Sequence, residues 1–273
     1  MLGFSFGLGG VFNGITGVFN TTTNTKSLEF TGYSSGTINP DTLTVDDDDL
    51  LSFTAGTDGD GVDLPFSAAF WIKRGEIQNH GIFTKNLASS AHNNIEYRVF
   101  YAGGTLYMDI SDGSGTGGAT YKRAKWTHSS TDWQHVVVTY SGIVSSAENL
   151  KCYVNGTKLS EIGDDLGSDD DGMENQDGKL HFGNLLSNNG FDFKGHLAQF
   201  ILLRDHELSQ SEVTYLYAGG TAHRDPTKGA QDYSGSSKVV LWLPLDADLN
   251  DDGPNGFNGT AVNDTALDAT VPF

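Results

Sequence analysis

One stretch, Asp132–Leu159, constrains the fold more than any other part of the sequence. It contains two extended runs, Trp133–Tyr140 and Leu150–Val154, and the second leads at once into Asn155-Gly156. Asn-Gly between extended runs is a strong hairpin signal, because both central residues of a type I′ turn need a positive φ. The first run has apolar residues on both faces, which is typical of a central strand covered on both sides. The stretch therefore predicts an antiparallel β core.

The rest of the chain adds about a dozen short strands and one short helix to this core. Ser209 and Glu212 form a capping box before the periodic Val213 and Leu216, and Gly219-Gly220 follows where the helix should end. The chain shows neither an internal repeat nor a second core. The other predicted strands are Ser27–Phe30, Leu43–Val45, Phe66–Lys73, Gly81–Thr84, Tyr97–Ala102, Thr105–Ile110, Lys179–Gly183, His196–Leu203 and Val239–Leu243.

Three polar segments are predicted as loops or solvated surface. The range Asp164–Asp177 is the most acidic stretch and is predicted to be a loop. The range Thr221–Ser237 is predicted to be a polar linker. The acidic cluster Asp46–Asp49 is predicted to be a solvated face.

The composition of the chain excludes several classes of protein. A formal net charge of −19 leaves no basic footprint for nucleic acid. No apolar run is long enough to span a membrane. Cys152 is the only cysteine, so an intrachain disulfide is impossible, and its strand position predicts a buried, inert thiol. At 273 residues, the chain fits a single large β domain.

The first 25 residues differ from the rest, since they are rich in Gly and uncharged. We predict an N-terminal arm at 1–25 and one sandwich domain at 26–273. Two interpretations of the arm stay open: it docks on a partner or on further copies of the chain through residues 1–20, or it packs on its own domain. The apolar side chains that would dock alternate with Gly and Ser at first, and they are Leu2, Phe4, Phe6, Leu8 and Phe12.

Four motifs resemble the laminin-G-like, concanavalin-A-like lectin/glucanase superfamily. In chain order they are the opening strands SLEF and LTV, the strand FSAAFWIK, the central pair WQHVVVTY and YVNG, and the closing run GHLAQFILLRDHELSQSEVTYLY. The resemblance covers about 26–220 and implies an all-β, antiparallel jelly-roll sandwich with one short helix. It does not imply one function, because lectins, hydrolases, adhesins and structural modules share the fold.

The C-terminal part carries a second resemblance. Val239–Thr260 resembles the strand that opens many of these domains, so the segment 238–273 is expected to close the sandwich in a permuted order. An apolar arm, one such domain and a closing strand resemble the layout of structural proteins of marine tailed bacteriophages.

Catalysis is not expected. Hydrolases on this fold carry an E-x-D-x-x-E strand, and Glu148, Glu161 and Glu174 each stand outside such a spacing. Lyases use an Arg, Gln, His and Tyr set on consecutive strands, but no arginine strand accompanies Gln134 and His135. His135 is predicted to be a core or turn histidine.

The resemblance implies a candidate calcium site in the last turn. Asp251, Asp252 and Asn255 supply oxygen ligands of the kind that Ca²⁺ prefers. Relatives offer an acidic residue near Gln199, and this chain departs from them there.

Four residues are candidates for glycan binding, because this fold binds sugars with aromatic rings on loops and strand ends. The alternative is that each belongs to the core. They are Tyr101, Tyr121, Trp126 and His128.

We therefore expect a non-enzymatic structural or adhesive protein of a virion, assembled in the host cytoplasm. It would act as a capsid decoration, a spike or a tail-associated protein, dock through its arm on other virion proteins and bind host glycans. The alternative is an extracellular, lectin-like module of a secreted bacterial protein. The sequence shows no signal-peptide pattern, which favours the first interpretation.

Overall fold

The computed structural model describes most of the chain after residue 20. The described ranges are 21–22, 24–32, 41–55, 63–87, 95–111, 121–143, 149–166, 172–185, 190–221 and 223–273. The arm residues Leu2, Phe4, Phe6, Leu8 and Phe12 lie outside these ranges, so the docking prediction stays a prediction.

Two antiparallel sheets of eight strands face each other, which confirms the predicted sandwich. The first sheet contains β2 (Ser27–Thr31), β4 (Phe66–Arg74), β9 (Gln134–Tyr140), β10 (Leu150–Val154), β11 (Thr157–Lys158), β14 (Lys194–Arg204), β16 (Val239–Leu243) and β18 (Ala266–Asp268). The second contains β3 (Thr42–Val45), β5 (His80–Asn86), β6 (Ile95–Ala102), β7 (Thr105–Ser111), β8 (Tyr121–Thr127), β12 (Glu161–Leu166), β13 (Leu180–Phe182) and β17 (Gly259–Val262). A small pair, β1 (Thr21–Thr22) and β15 (His223–Arg224), stands apart.

The central strands of the first sheet, β9, β4 and β14, are apolar on both faces. The first sheet runs β11-β10-β9-β4-β14-β2-β18, with β16 pairing beside β2 on β14, and the second runs β12-β8-β7-β6-β5-β13-β3-β17. On β9, Val136 and Val138 point into the main core, while Val137 joins a second apolar cluster on the other face. The prediction of a central strand covered on both sides is confirmed.

The Asn-Gly hairpin also forms as predicted. Asn155 has a φ of 49° and Gly156 a φ of 78°, which are the left-handed values that a type I′ turn requires. Gly156 packs against the ring of Tyr217, where a Cβ atom would lie 3.1 Å from a ring carbon. The turn thus joins β10 to β11 and contacts the helix.

The one α-helix of the described residues, α1, spans Gln210–Tyr217 and begins with the predicted capping box between Ser209 and Glu212. Ala218 ends it in the left-handed conformation, directly before Gly219-Gly220. The helix lies on the outer face of the first sheet, the face turned away from the core, and buries it. The second apolar cluster formed there contains Ala69, Val137, Tyr153, Ile201, Leu203, Leu208, Val213, Leu216, Tyr233, Val239 and Trp242.

The segment after the helix packs against the domain and is not the linker that its sequence predicted. The polar residues of Thr221–Ser237 predicted a linker, but Tyr233 is 1% exposed and belongs to the second apolar cluster. Ser234 donates from its backbone N–H and its hydroxyl to Glu212 on the helix. The segment is therefore docked on the domain.

The acidic stretches need a similar correction. The strand β12 continues to Leu166, so part of the predicted acidic loop is sheet. The Asp47 carboxylate belongs to the predicted solvated cluster but lies 2.6 Å from the buried ammonium of Lys85. Neither pattern is visible in the sequence, because charge alone does not show which acids meet a buried cation.

The C-terminal segment reaches both sheets. β16 pairs with β14, β17 pairs with β3 at one end of the second sheet, and β18 pairs with β2 at one end of the first. Cys152 is fully buried, as predicted, and burial raises the pKa of its thiol. Within the described ranges, no helix combines the length and the apolar character needed to cross a bilayer.

Candidate functional site

A row of polar side chains crosses the outer face of the second sheet. The cross-strand register aligns one residue from each neighbouring strand: Arg123, Asp109, Arg98, Thr84, His181, Thr44 and Thr260. Their neighbours along the strands point the other way, so that Leu106, Met108 and Ala124 lie in the main core. Period-two alternation in β6, β7 and β8 therefore separates a polar outer face from an apolar inner one.

Two arginines in this row share one carboxylate. Asp109 is 1% exposed, and it accepts from Arg123 through both oxygens at 2.7 and 2.8 Å. Arg98 donates to the same carboxylate at 2.6 Å. Bidentate pairing of this kind fixes the plane of the Arg123 guanidinium. The row continues on β12, where Asp165 lies opposite Arg123 in the register, so the row contains two arginines and two aspartates.

Aromatic rings surround the Arg123 guanidinium. Its central carbon lies 4.4 Å from the centroid of the Tyr121 ring and 5.2 Å from that of Tyr107. Tyr107 stacks on the buried Phe100 with centroids 4.9 Å apart and planes within 6°. Tyr107, Tyr121 and Arg123 are all half-buried, so each offers part of its surface to solvent. We call these three residues the tyrosine–arginine surface.

A polar cleft of about 250 Å³ lies close to this surface. Phe191 connects the cleft to the tyrosine–arginine surface. Its ring centroid lies 5.6 Å from that of Phe100, and its chain neighbours Gly190 and Asp192 line the cleft. His80 holds the walls together, with ring nitrogens 3.0 and 3.1 Å from the carbonyl oxygens of Glu76 and Asp192. The cleft is lined by Thr31, Gly32, Glu76, Gln78, Asn79, His80, Gly190, Asp192 and Lys194.

Of the four predicted glycan residues, one is half-buried and three are buried. Tyr121 is part of the tyrosine–arginine surface. Tyr101 is fully buried and Trp126 is 1% exposed, and both belong to the main core. Trp126 borders a cleft of about 410 Å³ beside Leu150, but a ring this buried cannot stack on a sugar. On their strands, both residues alternate with the outward-facing set, which places them on the core side.

His128 has a structural role. It is 9% exposed, and its Nδ1 lies 2.5 Å from the Tyr101 hydroxyl. Burial, together with the nearby Arg74 guanidinium, lowers the pKa of His128 from 6.5 to about 4. Arg74 stands 4.0 Å over the Tyr101 ring and donates to the carbonyl oxygens of Ser130, Gly103 and His128. These contacts fix the end of the strand β8 and hold the His128 ring in a buried position.

The predicted calcium turn does not fit a calcium ligand set. The Asp251 carboxylate accepts from the backbone N–H groups of Trp242, Gly253 and Phe257 at 2.8 to 2.9 Å. Asn255 donates its amide to the Val240 carbonyl. A calcium ion would have to displace these donors, which hold the turn against β16.

The other residues near the turn do not complete such a set. Burial raises the pKa of Asp252, and the carboxylates of Asp248 and Asp251 add to that rise. Gln199, where relatives offer an acid, accepts from the Trp242 indole at 2.9 Å. Across the described ranges, no group of three or more His, Cys, Asp or Glu side chains could hold a metal ion.

The sequence of this chain matches one family model over residues 47–214, which is more than half of its length. The model describes the concanavalin A-like lectin/glucanases superfamily. This chain belongs to that superfamily. The match covers β4 to β14 and most of α1, and it includes every residue of the tyrosine–arginine surface. Among curated proteins, no sequence matches the chain.

Solved structures with a similar fold share little sequence with this superfamily member. The native heptameric SAP-like pentraxin from Limulus polyphemus is 14% identical, with 87% of this chain and 94% of that chain covered and a TM-score of 0.46. The botulinum neurotoxin type G receptor binding domain is 15% identical, with coverages of 57% and 38% and a TM-score of 0.39. The botulinum neurotoxin serotype C1 binding domain is 12% identical, with coverages of 71% and 46% and a TM-score of 0.44. The chain spans less than half the length of each toxin chain.

Sequence reasoning did not single out Tyr107, Arg123 or Phe100. The signal that could have found Tyr107 is alternation in the predicted strand Thr105–Ile110, since Tyr107 lies between the apolar Leu106 and Met108 and must face the other way. Joining Tyr107 to Arg123 also requires the pairing register of β7 with β8, which the sequence does not provide.

Proposed function

We propose that this protein binds glycans through the tyrosine–arginine surface and acts as a non-enzymatic adhesion protein. The observation that carries the proposal is the half-buried Arg123, held by the buried Asp109 and flanked by the rings of Tyr107 and Tyr121. Membership of a superfamily of lectins and glucanases supports it.

The chemistry of the surface matches what a sugar presents. The C–H faces of a pyranose ring pack on aromatic rings, and sugar hydroxyl groups accept hydrogen bonds from a guanidinium. Because Arg123 is already fixed by Asp109, little side-chain entropy is lost when a ligand binds. The polar cleft beside Phe191 offers amide and carboxylate groups for further hydroxyl groups of a longer oligosaccharide.

The guanidinium of Arg123 favours an acidic glycan. Arg123 is half-buried, and Lys125 lies two residues from it on the same face of β8. A sugar carboxylate or sulfate would meet a guanidinium in the planar geometry that arginine recognises best. We therefore expect uronate or sulfated oligosaccharides to bind more tightly than neutral ones of equal length.

Calorimetric titration with matched acidic and neutral oligosaccharides tests this function. We expect Arg123→Ala to weaken binding of the acidic ligand at least about tenfold, because a hydrogen bond to a charged group contributes about 1.5–3 kcal/mol. Arg123→Lys should recover only part of the affinity, since lysine keeps the charge but loses the planar fork. Tyr107→Ala should weaken acidic and neutral ligands alike.

Two control variants match these changes elsewhere on the molecule. Tyr217→Ala removes a half-buried ring on the outer face of the first sheet, and Lys228→Ala removes an exposed positive charge. Both should bind as the wild type does. Unchanged affinity in Arg123→Ala, with circular dichroism showing a folded protein, would contradict the proposed site.

We also propose that the protein works in a tailed-phage virion, docked by residues 1–20. The support is the sequence layout and the apolar alternation of Leu2, Phe4, Phe6 and Leu8. Deleting 1–20 should leave glycan binding intact and abolish incorporation into particles, measured by mass spectrometry of purified virions. Free, secreted protein with normal glycan binding would favour the lectin-like module instead.

The proposal of a non-enzymatic role is tested separately. The buried carboxylates described in β6 and β7, Glu96 and Asp109, are engaged by Lys85 and by two arginines. A carboxylate fixed in this way is a poor proton donor or acceptor for glycoside hydrolysis. Incubation with alginate, agar and β-glucans should release no reducing ends above buffer, and release that disappears on mutating one carboxylate would contradict this.

A further inference from the structure

A buried lysine sits inside a cage of oxygen atoms at one end of the sandwich. The side chain of Lys85 is fully buried, and its Nζ lies 2.6 Å from Asp47 Oδ1 and 2.7 Å from Glu96 Oε1. The carbonyl oxygens of Gln176 and Gly178 lie 2.9 and 3.0 Å from the same atom. We call these four oxygen atoms the Lys85 cage.

The Lys85 cage joins three separate segments of the chain. Asp47 precedes a short 3-10 helix at Asp49–Leu51, Lys85 and Glu96 lie on the paired strands β5 and β6, and Gln176 and Gly178 belong to the segment before β13. Glu96 is held in place by donors other than lysine: the Ser52 hydroxyl at 3.2 Å and the Gln176 backbone N–H at 3.0 Å.

The cage offers more oxygen than an ammonium needs. A lysine ammonium has three N–H donors, whereas four oxygen atoms surround this one. The second carboxylate oxygen, Glu96 Oε2, is buried and has no hydrogen-bond partner within the described ranges. Two carboxylates and two carbonyls form the kind of oxygen set that Ca²⁺ accepts, and a bidentate Glu is one of its usual ligands.

The charge of the cage also exceeds that of its occupant. Two carboxylates face one ammonium in a site where the side chains of Lys85 and Glu96 are fully buried. Burial raises the pKa of Glu96 to about 7, and the attraction of Lys85 opposes that rise without cancelling it. The pKa of the neighbouring Tyr97 hydroxyl is raised by burial, and the charges of Glu96 and Asp47 add to it. A divalent cation would balance both carboxylates.

We propose that Lys85 stands in for a divalent cation, and that removing its side chain opens a calcium site made of Asp47, Glu96 and the carbonyl oxygens of Gln176 and Gly178. The ammonium is a cation carried by the chain itself. The Lys85 ammonium therefore holds the three segments together without a bound ion, and chelators cannot remove it.

Thermal unfolding of wild type and Lys85→Ser with Ca²⁺ or with EDTA tests this proposal. The wild type should melt at the same temperature in both. Lys85→Ser should melt lower than the wild type in EDTA, and its melting temperature should rise by about 5–10 °C at a hundredfold excess of Ca²⁺ over its Kd. Terbium luminescence excited through Tyr97 should appear with Lys85→Ser alone.

Three further variants make the outcome decisive. Lys85→Met fills the cage with an apolar chain of similar length, Lys85→Ser/Glu96→Gln removes a ligand charge, and Lys179→Ser breaks an exposed ion pair with Asp46. None of them should respond to Ca²⁺. The proposal is overturned if Lys85→Ser binds no terbium, or if it fails to fold both with and without Ca²⁺. It is also overturned if the wild type shows a calcium shift of the same size.

Discussion

The outer faces of the two sheets differ in the residues that cover them. On the first sheet, the chain covers its own outer face with α1 and the segment around Tyr233, and it buries Val137, Ile201 and Leu203 there. On the second sheet, the corresponding face carries the row of Arg123, Asp109 and Arg98, with half-buried tyrosines above it.

This difference determines which side chains each outer face presents to solvent. Antiparallel sheets tolerate water on one side, so a fold of this kind needs only one apolar core between its sheets. The second apolar cluster adds stability on the outer face of the first sheet, which it buries beneath α1 and the segment around Tyr233. The outer face of the second sheet exposes parts of the Tyr107 and Tyr121 rings beside the charged Arg123. Exposed rings of this kind are typical of binding surfaces.

The largest effect should come from uncovering the first sheet. Tyr233→Ala removes a ring that stacks on Tyr215 at 5.3 Å and is 1% exposed. We expect the free energy of unfolding to fall by about 3–5 kcal/mol, as for other large aromatic residues truncated in a core, with glycan affinity unchanged. Urea denaturation measures the first quantity and calorimetric titration the second.

Tyr233→Phe is the matched control for that variant. The Tyr233 hydroxyl is buried and makes no hydrogen bond within the described ranges, so its removal should change stability by less than about 1 kcal/mol. A loss of glycan affinity in Tyr233→Ala would break the distinction between the two faces.

Asp109→Asn should affect both stability and binding. Two arginines would lose their shared carboxylate, and breaking a buried ion pair by removing one partner is strongly destabilising. Because Arg123 keeps 19% exposure, we expect a loss of about 2–4 kcal/mol rather than more. Affinity for acidic glycans should fall as well, since the bidentate pair that orients the Arg123 guanidinium is lost. Normal affinity in a destabilised Asp109→Asn protein would show that Asp109 serves the fold alone.

The smallest effect should come from Glu212, which joins α1 to the segment around Tyr233. Burial would raise the pKa of its carboxyl, but hydrogen bonds from Ser209 and Ser234 outweigh burial and lower it from 4.5 to about 2. A depressed pKa in the folded state means that the carboxylate stabilises the protein above pH 4.5 and that this contribution is lost as the pH falls towards 2.

Comparing Glu212→Gln with the wild type across pH measures that contribution. We expect the variant to be about 1–3 kcal/mol less stable at pH 7, the size of a lost cap with its hydrogen bonds. The difference should shrink between pH 4.5 and 2. A difference that is constant across this range would mean that the carboxylate charge has no part in holding the segment.

Local sequence signals predicted the local structure of this chain well. Asn155-Gly156 determines its own turn, and the capping box of Ser209 and Glu212 determines the start of α1. The alternation of side chains in β4 determines which of them enter the main core. Each of these depends on residues close in sequence. The antiparallel sandwich followed from many such signals together with the family resemblance.

The candidate site was harder to predict because it depends on register between strands. Trp126 and Tyr121 lie on the same strand, yet one is core and the other faces solvent. Arg123, Asp109 and Phe100 come together only because β8 pairs with β7 and β7 pairs with β6. Tyr233 was missed for a related reason, since an isolated aromatic among polar residues gives no periodic signal.

The C-terminal segment has a consequence for the order in which the domain can fold. β2 and β3 lie near the start of the described chain, but their outer partners are β18 and β17. The hydroxyl of Thr265 bonds the carbonyl of Thr42 across 223 residues of sequence. During synthesis these early strands emerge long before the strands that cover them, and pairing over such distances is slow. Until residues 259–268 are made, the backbone edges of β2 and β3 that they cover stay open to pairing with other chains, which exposes the nascent protein to aggregation.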